Sequence, residues 1–428
     1  MRRVRILMYH RVEYLNDDYN MQAVTPANFE QHMKYLRDHY DILSLNTPME
    51  SWFQGRSGDA VLLTFDDGYY DFIHNAVPIM KKYDIPATVF VSTGNIDSRY
   101  ENWTDSILRA VFSNVRQMDS YTFETEYYSG KFSTGNWEEK HRFYQMVRKL
   151  FIVSSAEKRR QYEEQLLKWA GLEREGRQSR RIMTTRELQE ASAQKGISIG
   201  AHTVTHCSLK HQELAEQQYE IRESKRFLEE ITGRKVNLFA YPFGTKDDYS
   251  DDTIGLLKEA GFEKAVAAYP GVVSVNTSMY ELNRFMVKNY DKADFGNYME
   301  HVVFQDKYSA CDNSYLSPKR QMHYIGALQE DQILNIENPL VIWGAGYWGR
   351  ALYAELAMLG LENRIEAFGD NDDRKSGNII ENKPVLDFAA VKEMQKNNDC
   401  HILVKGRYAF EICKCLIQGK LQNIHLII

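Results

Sequence analysis

The run Val61-Leu62-Leu63-Thr64-Phe65-Asp66-Asp67-Gly68 decides how the rest of the chain is read. Its apolar residues predict a short buried strand that runs directly into two adjacent carboxylates and a turn glycine. A carboxylate at the end of a core strand is costly to bury unless opposite charge meets it. A divalent cation would serve. Further along, Ile197-Ser198-Ile199-Gly200-Ala201 predicts another short strand, leading into His202-Thr203-Val204-Thr205-His206. Two histidines at that spacing can turn both imidazoles toward one ion. One carboxylate and two imidazoles leave coordination positions open, the pattern of a catalytic rather than a structural metal site.

Strands and helices alternate on both sides of these stretches. A strand is expected over residues 4–9, then a helix over 25–39 with Thr25 as cap and Pro26 at its first position. Short strands are expected over 42–45, 60–65 and 87–91, with a helix over 70–82. Residues 95–181 break the rhythm: 105–112 and 137–167 look helical, no strand is expected, and the segment reads as a helical insertion. The alternation resumes with a helix capped at Thr185, the strand ending at His202, and a helix over 214–232. Strands at 236–240, 265–268 and 281–287 follow, with a helix over 251–260. This pattern predicts an α/β fold, a distorted (β/α)7 barrel over residues 1–290 with its insertion at about 95–181. Residues 291–338 carry Ser-Pro and Asn-Pro punctuation without strong periodicity and are expected to form a connector. A second, smaller α/β unit is expected over 339–428.

A chain of 428 residues has room for two or three cores, and 43% hydrophobic with 26% charged residues describes a globular protein. The formal net charge of -6 provides no basic field, which disfavours nucleic acid as a partner. Cys207, Cys311, Cys400, Cys413 and Cys415 are odd in number and scattered, arguing for reduced thiols and against a disulfide framework. The apolar run before His10 is short for a secretory leader. Nor does any run approach the roughly 18 apolar residues of a membrane span. A cytoplasmic location is expected.

Thr64-Phe65-Asp66-Asp67-Gly68, His202-Thr203-Val204-Thr205-His206 and Phe239-Ala240-Tyr241-Pro242-Phe243-Gly244 resemble, in order, three signatures of the polysaccharide deacetylases. These are carbohydrate esterase family four, with the nodulation-type chitooligosaccharide deacetylase domain. The resemblance implies a distorted barrel and a divalent metal, zinc foremost, held by Asp67, His202 and His206. It implies Asp66 as general base and the backbone N–H of Phe243 as the donor facing the oxyanion. Many relatives open the third signature with an arginine that orients the catalytic aspartate, whereas this chain has Phe239 and Ala240 there. Arg284, near the end of the chain's barrel portion, is expected to supply that cation to Asp66. Many relatives also carry an acid histidine late in the barrel, which nothing after residue 244 matches. However, Leu7-Met8-Tyr9-His10-Arg11-Val12 resembles the opening of the poly-N-acetylglucosamine deacetylase subgroup, which implies His10 as the acid that protonates the leaving amine.

In the second unit a predicted strand leads into Gly344-Ala345-Gly346-Tyr347-Trp348-Gly349, a helix follows, and a further strand ends at Asp370. A glycine turn between strand and helix, with an acid about 20 residues on, is the setting in which a helix N-terminus takes phosphate and the acid takes ribose hydroxyls. The unit resembles the small Rossmann-like domains of surface-polysaccharide biosynthesis enzymes. This implies a nucleotide, a nucleotide-sugar or NAD at Gly344, Gly346, Gly349 and Asp370. A structural or dimerising unit would use the same glycines for helix packing alone.

The expected activity is metal-dependent hydrolysis of N-acetyl groups from a carbohydrate, a glycan precursor or a polysaccharide, with release of acetate. The alternative is a NAD- or nucleotide-sugar-binding oxidoreductase, or a scaffold, in surface-polysaccharide biosynthesis.

Overall fold

The computed structural model describes all residues except 1, 16–17, 54–57, 113–118, 125–128, 305–325, 329–335, 406–415, 417–420 and the single positions 337, 359, 373, 399, 422 and 428. Cys311, Cys413 and Cys415 lie outside the described residues. Two compact units are present: residues 1–116 with 146–312, and residues 117–145 with 313–428. Among the described residues no helix is long and apolar enough to cross a membrane.

The first unit is built on a curled parallel sheet. Its strands, with those of a short side pair, are β1 (Val4–Tyr9), β2 (Arg11–Val12), β3 (Ala23–Val24), β4 (Asp41–Leu43), β5 (Ala60–Phe65), β6 (Ala87–Val91), β9 (Ile197–Ala201), β10 (Leu238–Ala240), β11 (Lys264–Val266) and β12 (Phe285–Met286), while β7 (Ser120–Glu124) and β8 (Ser129–Ser133), between β6 and β9 in the chain, belong to the second unit. The sheet runs β11-β10-β9-β6-β5-β1-β12, with β4 also on β5. A parallel bridge between Val266 and Leu282 brings the run into β12 back beside β11, so the sheet comes round on itself. Every residue of β1 and β5 is buried, as expected of parallel strands covered on both faces.

Side chains alternate across the sheet with period two. Leu7, Tyr9, Val61, Leu63 and Phe65 join the core shared with the surrounding helices. Val4, Ile6, Leu62, Phe90, Leu238, Ala240, Val266 and Leu282 form a separate cluster inside the curl. Gly200 makes room for Phe90, since a Cβ there would lie 2.4 Å from its ring. The same alternation puts Thr64 and Asp66 on the inward face, one step beyond Leu62.

Helix Pro26–His39 starts as read from Thr25-Pro26, with the Thr25 side chain accepting from Asn28 N–H. Its buried His32 stacks on Phe295 at 3.9 Å, and its Nε2 lies 2.8 Å from the Tyr290 carbonyl. Burial pushes this imidazole down to about 3, opposed by that hydrogen bond. Because the folded value lies below the unfolded value near 6.5, His32 contributes stability above that pH and loses it as pH falls toward 3. His32→Gln is therefore expected to flatten the acid branch of stability against pH, removing roughly 3–5 kcal/mol of dependence between pH 6.5 and 3, as read by urea unfolding.

Three expectations need correction. The segment 95–181 is not purely helical: β7 and β8 pair antiparallel as a hairpin, with Phe143 packed on Tyr121 and Phe132. The connector expected from residue 291 starts later, because Lys292–Tyr298 is an α-helix whose first N–H groups are capped by Asp291. Phe295, Tyr298, Met299 and Val303 bury into the core around the sheet, and that burial overrides the helix-weakening Gly296. The helix expected over 70–82 begins as a π-turn, Phe72–Ala76, before the α-helix Val77–Lys82.

The second unit holds a sheet of β13 (Gly326–Leu328), β14 (Leu340–Trp343), β15 (Ile365–Gly369), β16 (Ile379–Ile380), β17 (Lys383–Leu386), β18 (His401–Val404) and β19 (Ile424–Ile427). Their order is β13-β19-β18-β14-β15-β17-β16. Among the described strands of this sheet, only β16 and β17 pair antiparallel. The chain extends from β14 to one side through β15 and β17, then crosses to β18 on the other. The glycine turn lies at that switch in direction.

Candidate active site

Three strand ends of the sheet bring the chemistry together. Asp66 and Asp67 follow β5, His202 follows β9, and the turn Tyr241–Gly244 follows β10. Asp67 and His202 are nearly inaccessible, and His206 is buried beside them. One Asp67 oxygen, Oδ1, lies 3.5 Å from His202 Nε2 and 3.1 Å from His206 Nε2. The three possible ligand atoms are all within 4.8 Å of one another.

The surroundings fit a cation. His202 Nδ1 sits 2.8 Å from the Ala240 carbonyl, which fixes that nitrogen as the donor and leaves Nε2 as a lone pair. Asp67 Oδ1 is buried without a hydrogen-bond donor, an arrangement that is expensive unless something positive shares it. Burial alone would raise the Asp67 carboxyl; His206 and His202 outweigh it and hold it well below the usual carboxylate range. Burial likewise disfavours charge on His202, yet Asp67 and Asp66 bring its imidazole above the ordinary value. The donor set and its charge suit a divalent metal with imidazole and carboxylate ligands.

Asp66 faces a different partner. Arg284 donates through Nη1 to Asp66 Oδ1 at 2.6 Å and through Nη2 to Oδ2 at 2.7 Å, a bidentate pair. The guanidinium is itself held by the Ala267 carbonyl at 2.7 Å and Thr64 Oγ1 at 3.1 Å. Burial would raise the Asp66 carboxyl, but Arg284, with His202 and His10, keeps it lowered. His10 follows β1, the neighbour of β5, and its Nδ1 is buried without a partner. Burial pushes the His10 imidazole below its ordinary value, against the pull of Asp67 and Asp66.

The backbone around these groups is left-handed at Asp67 (φ 71°), Thr203 (φ 64°), His206 (φ 51°) and Phe243 (φ 60°). Non-glycine residues adopt this region at a cost of roughly 1–3 kcal/mol each, and it persists only where surroundings dictate it. Glu220, from the helix Leu214–Thr232, supplies one such restraint: it accepts Val204 N–H at 2.7 Å and Thr205 N–H at 2.9 Å. Trp103 supplies another, its Nε1 donating to the His206 carbonyl at 3.1 Å. Among the described residues the Phe243 N–H finds no protein acceptor. The Phe243 ring stands 5.0 Å from His206 and 5.9 Å from Trp103, forming an aromatic wall.

Neither Glu220 nor Trp103 stands out in the sequence. Glu220 is one of several acids on an amphipathic helix, and only the return of that helix to the histidine turn gives it a partner. Asp105 and Arg180 are in the same position. They pair at 2.9 Å, and Asp105 accepts the hydroxyl of Tyr69 at 2.6 Å, two residues after Asp67. The insertion is thereby tied to the turn that carries the aspartates.

In the second unit Gly349 is required by packing, since a Cβ there would lie 1.6 Å from the Gly344 carbonyl oxygen. Gly344 adopts φ 110°. Asp370 accepts the Ala345 N–H at 2.7 Å, Lys375 Nζ at 3.0 Å and the Asp372 N–H at 2.9 Å, so both of its oxygens already serve the protein. Gly346 lies in the same turn, before the helix Tyr347–Met358.

Residues 54–265 match the polysaccharide deacetylase family model. The protein YxkH of Bacillus subtilis strain 168, assigned by name to the polysaccharide deacetylases, is 26% identical over 304 residues, covering 69% of this chain and 76% of its own. The poly-beta-1,6-N-acetyl-D-glucosamine N-deacetylase of Staphylococcus aureus is 30% identical over 135 residues, which cover 28% of this chain and 46% of that enzyme. Among solved structures, the Streptococcus pyogenes deacetylase PplD in complex with acetate superposes over 69% of this chain and 97% of its own, at 21% identity and a TM-score of 0.44.

Proposed function

We propose, from the polysaccharide deacetylase domain that this chain carries, that the protein is a metal-dependent hydrolase removing N-acetyl groups from a carbohydrate and releasing acetate. The observation that carries this reading is the meeting of Asp67, His202 and His206 around one buried point, with Asp66 beside it on its own arginine. Asp67, His202 and His206 would hold the ion. The chemistry such an ion supplies when bound is Lewis acidity, which polarises a carbonyl and makes a water more acidic.

The chain's own groups divide the remaining work. Asp66, kept ionised by Arg284, accepts the proton of the attacking water. The Phe243 N–H, without a protein acceptor, donates to the oxygen that becomes negative as the amide carbon turns tetrahedral. His10, at the end of β1 beside the strand that carries both aspartates, donates the proton taken up by the departing amine nitrogen. Replacement of His10 by alanine is expected to lower turnover about 10²-fold while metal content stays at the wild-type level, measured on one preparation.

The test of the whole reading is acetate release from a panel of N-acetylated sugars, before and after chelation and after return of zinc, cobalt, manganese or nickel. Acetate that appears only with metal supports it. A protein that retains one equivalent of metal and releases no acetate from any of them refutes it. The nicotinamide alternative gains nothing from the second unit, where Asp370 is engaged by the glycine turn itself.

A further inference from the structure

We propose that the cavity beside His206 is an anion-binding subsite, in which Arg160 and Arg174 receive the carboxylate or phosphate of an acidic acetylated glycan; this rests on the deacetylase reading and narrows its substrate. The cavity measures about 480 Å³, within the range of ligand sites. It lies among the loop after β6, the start of the helix Trp103–Phe112, the helix Ala156–Ala170 and the histidine turn. The insertion therefore supplies much of its wall, and His206 of the candidate metal centre supplies part of the rest.

The cavity carries charge of both signs. Three guanidinium groups line it, from Arg159, Arg160 and Arg174, and none forms an ion pair among the described residues. Arg159 is buried and spends its hydrogen bonds on neutral groups, the Ser154 carbonyl at 2.9 Å and Thr205 Oγ1 at 2.7 Å. Arg174 lies 4.0 Å over the Tyr100 ring, with its Nε buried and unpartnered. Three acids share the wall, and among the described residues none of them forms an ion pair with these guanidinium groups. Glu101 is already gripped by Arg177 at 2.7 Å and 3.0 Å, and burial pushes the Glu163 carboxyl up against the opposing pull of Arg174 and Arg109. Glu157 remains, exposed at the rim.

Planar guanidinium groups match carboxylate and phosphate oxygens in geometry, and the buried Nε of the half-buried Arg174 has no acceptor in the protein. A sugar whose acetamide reaches the metal centre would place its neighbouring substituents in this cavity. An acidic group on the same or the next residue would then meet Arg160 and Arg174. A neutral glycan would leave both unanswered.

The test uses the full chain in two measurements. In the first, the metal-loaded protein hydrolyses a neutral N-acetylated oligosaccharide and one bearing a uronate or a phosphate. Arg160→Gln/Arg174→Gln is expected to raise KM for the acidic substrate roughly 10- to 100-fold, leaving kcat and the neutral KM unchanged. Arg160→Glu, at an exposed position, repeats the test without disturbing buried packing. In the second, glucuronate and inorganic phosphate are titrated separately into the metal-free protein by calorimetry, and the tighter of the two identifies the group. Loss of that binding in the double variant supports the subsite. No binding of either anion, or equal binding in wild type and variant, overturns it. Acetate release from the neutral sugar without anion binding removes the subsite alone. Anion binding without acetate release from any sugar removes the deacetylase reading and leaves the anion site.

Discussion

Asp67→Asn is expected to empty the metal centre and to lower acetate release by at least about three orders of magnitude. The carboxylate oxygen stands between two imidazole nitrogens at 3.1 Å and 3.5 Å, and its charge is what both imidazoles are arranged around. Losing a group that only orients a metal ligand costs about 10- to 100-fold in affinity or activity, and losing a ligand that also carries the countercharge should exceed that. Asparagine preserves the shape, so the effect isolates charge. Elemental analysis of the purified variant, beside acetate release with excess metal, provides the check. A variant with full metal content and wild-type turnover would falsify the assignment of Asp67.

Asp66→Asn should separate from this cleanly: metal stays bound, and turnover falls about 10³–10⁴-fold, the upper part of the range for a general base. Its partner provides a second handle. With Arg284 in place the Asp66 carboxyl is held below its ordinary value against the opposing effect of burial. Arg284→Met removes that support, so the Asp66 proton stays on to higher pH. The acid limb of kcat/KM is then expected to move upward in pH, besides any loss in the plateau. Leaving a buried carboxylate alone also costs about 3–5 kcal/mol of stability. Asp66→Asn combined with Arg284→Met should recover part of it, because no orphan charge remains. An acid limb that does not move, in a folded Arg284→Met protein, counts against Asp66 as the base.

Much of this arrangement can be read from local sequence, because each element of it is short. Val61 to Gly68 contains a strand, its end and its carboxylates in eight residues, and the histidine turn is equally self-contained. The strand order that brings them together follows from alternation with helices. What cannot be read locally is whatever depends on a return of the chain. Glu220 matters through two backbone N–H groups in the histidine turn, and nothing in its own helix distinguishes it from its acidic neighbours. The hairpin of β7 and β8 mixes Ser, Lys and Glu with aromatic residues and lacks a glycine-asparagine turn, so it does not announce itself. The helix after Asp291 is short and carries Gly296, and the apolar surface that receives Phe295 and Met299 makes up the deficit. Asp370 shows the converse: its spacing from the glycine turn suits a ribose ligand, while its contacts are those of a brace.

The run from Leu282 to Met286, which lies beside β11 at one end and β1 at the other, has a consequence for how this protein is made. It carries Arg284, the guanidinium that meets Asp66, although the two are 218 positions apart. A ribosome delivers the acidic pair early and its cationic counterpart last among the strands of this unit. Until that last piece arrives, Asp66 lacks the guanidinium that offsets the cost of burying it, so the reaction centre depends on the same segment that completes the wall of the unit.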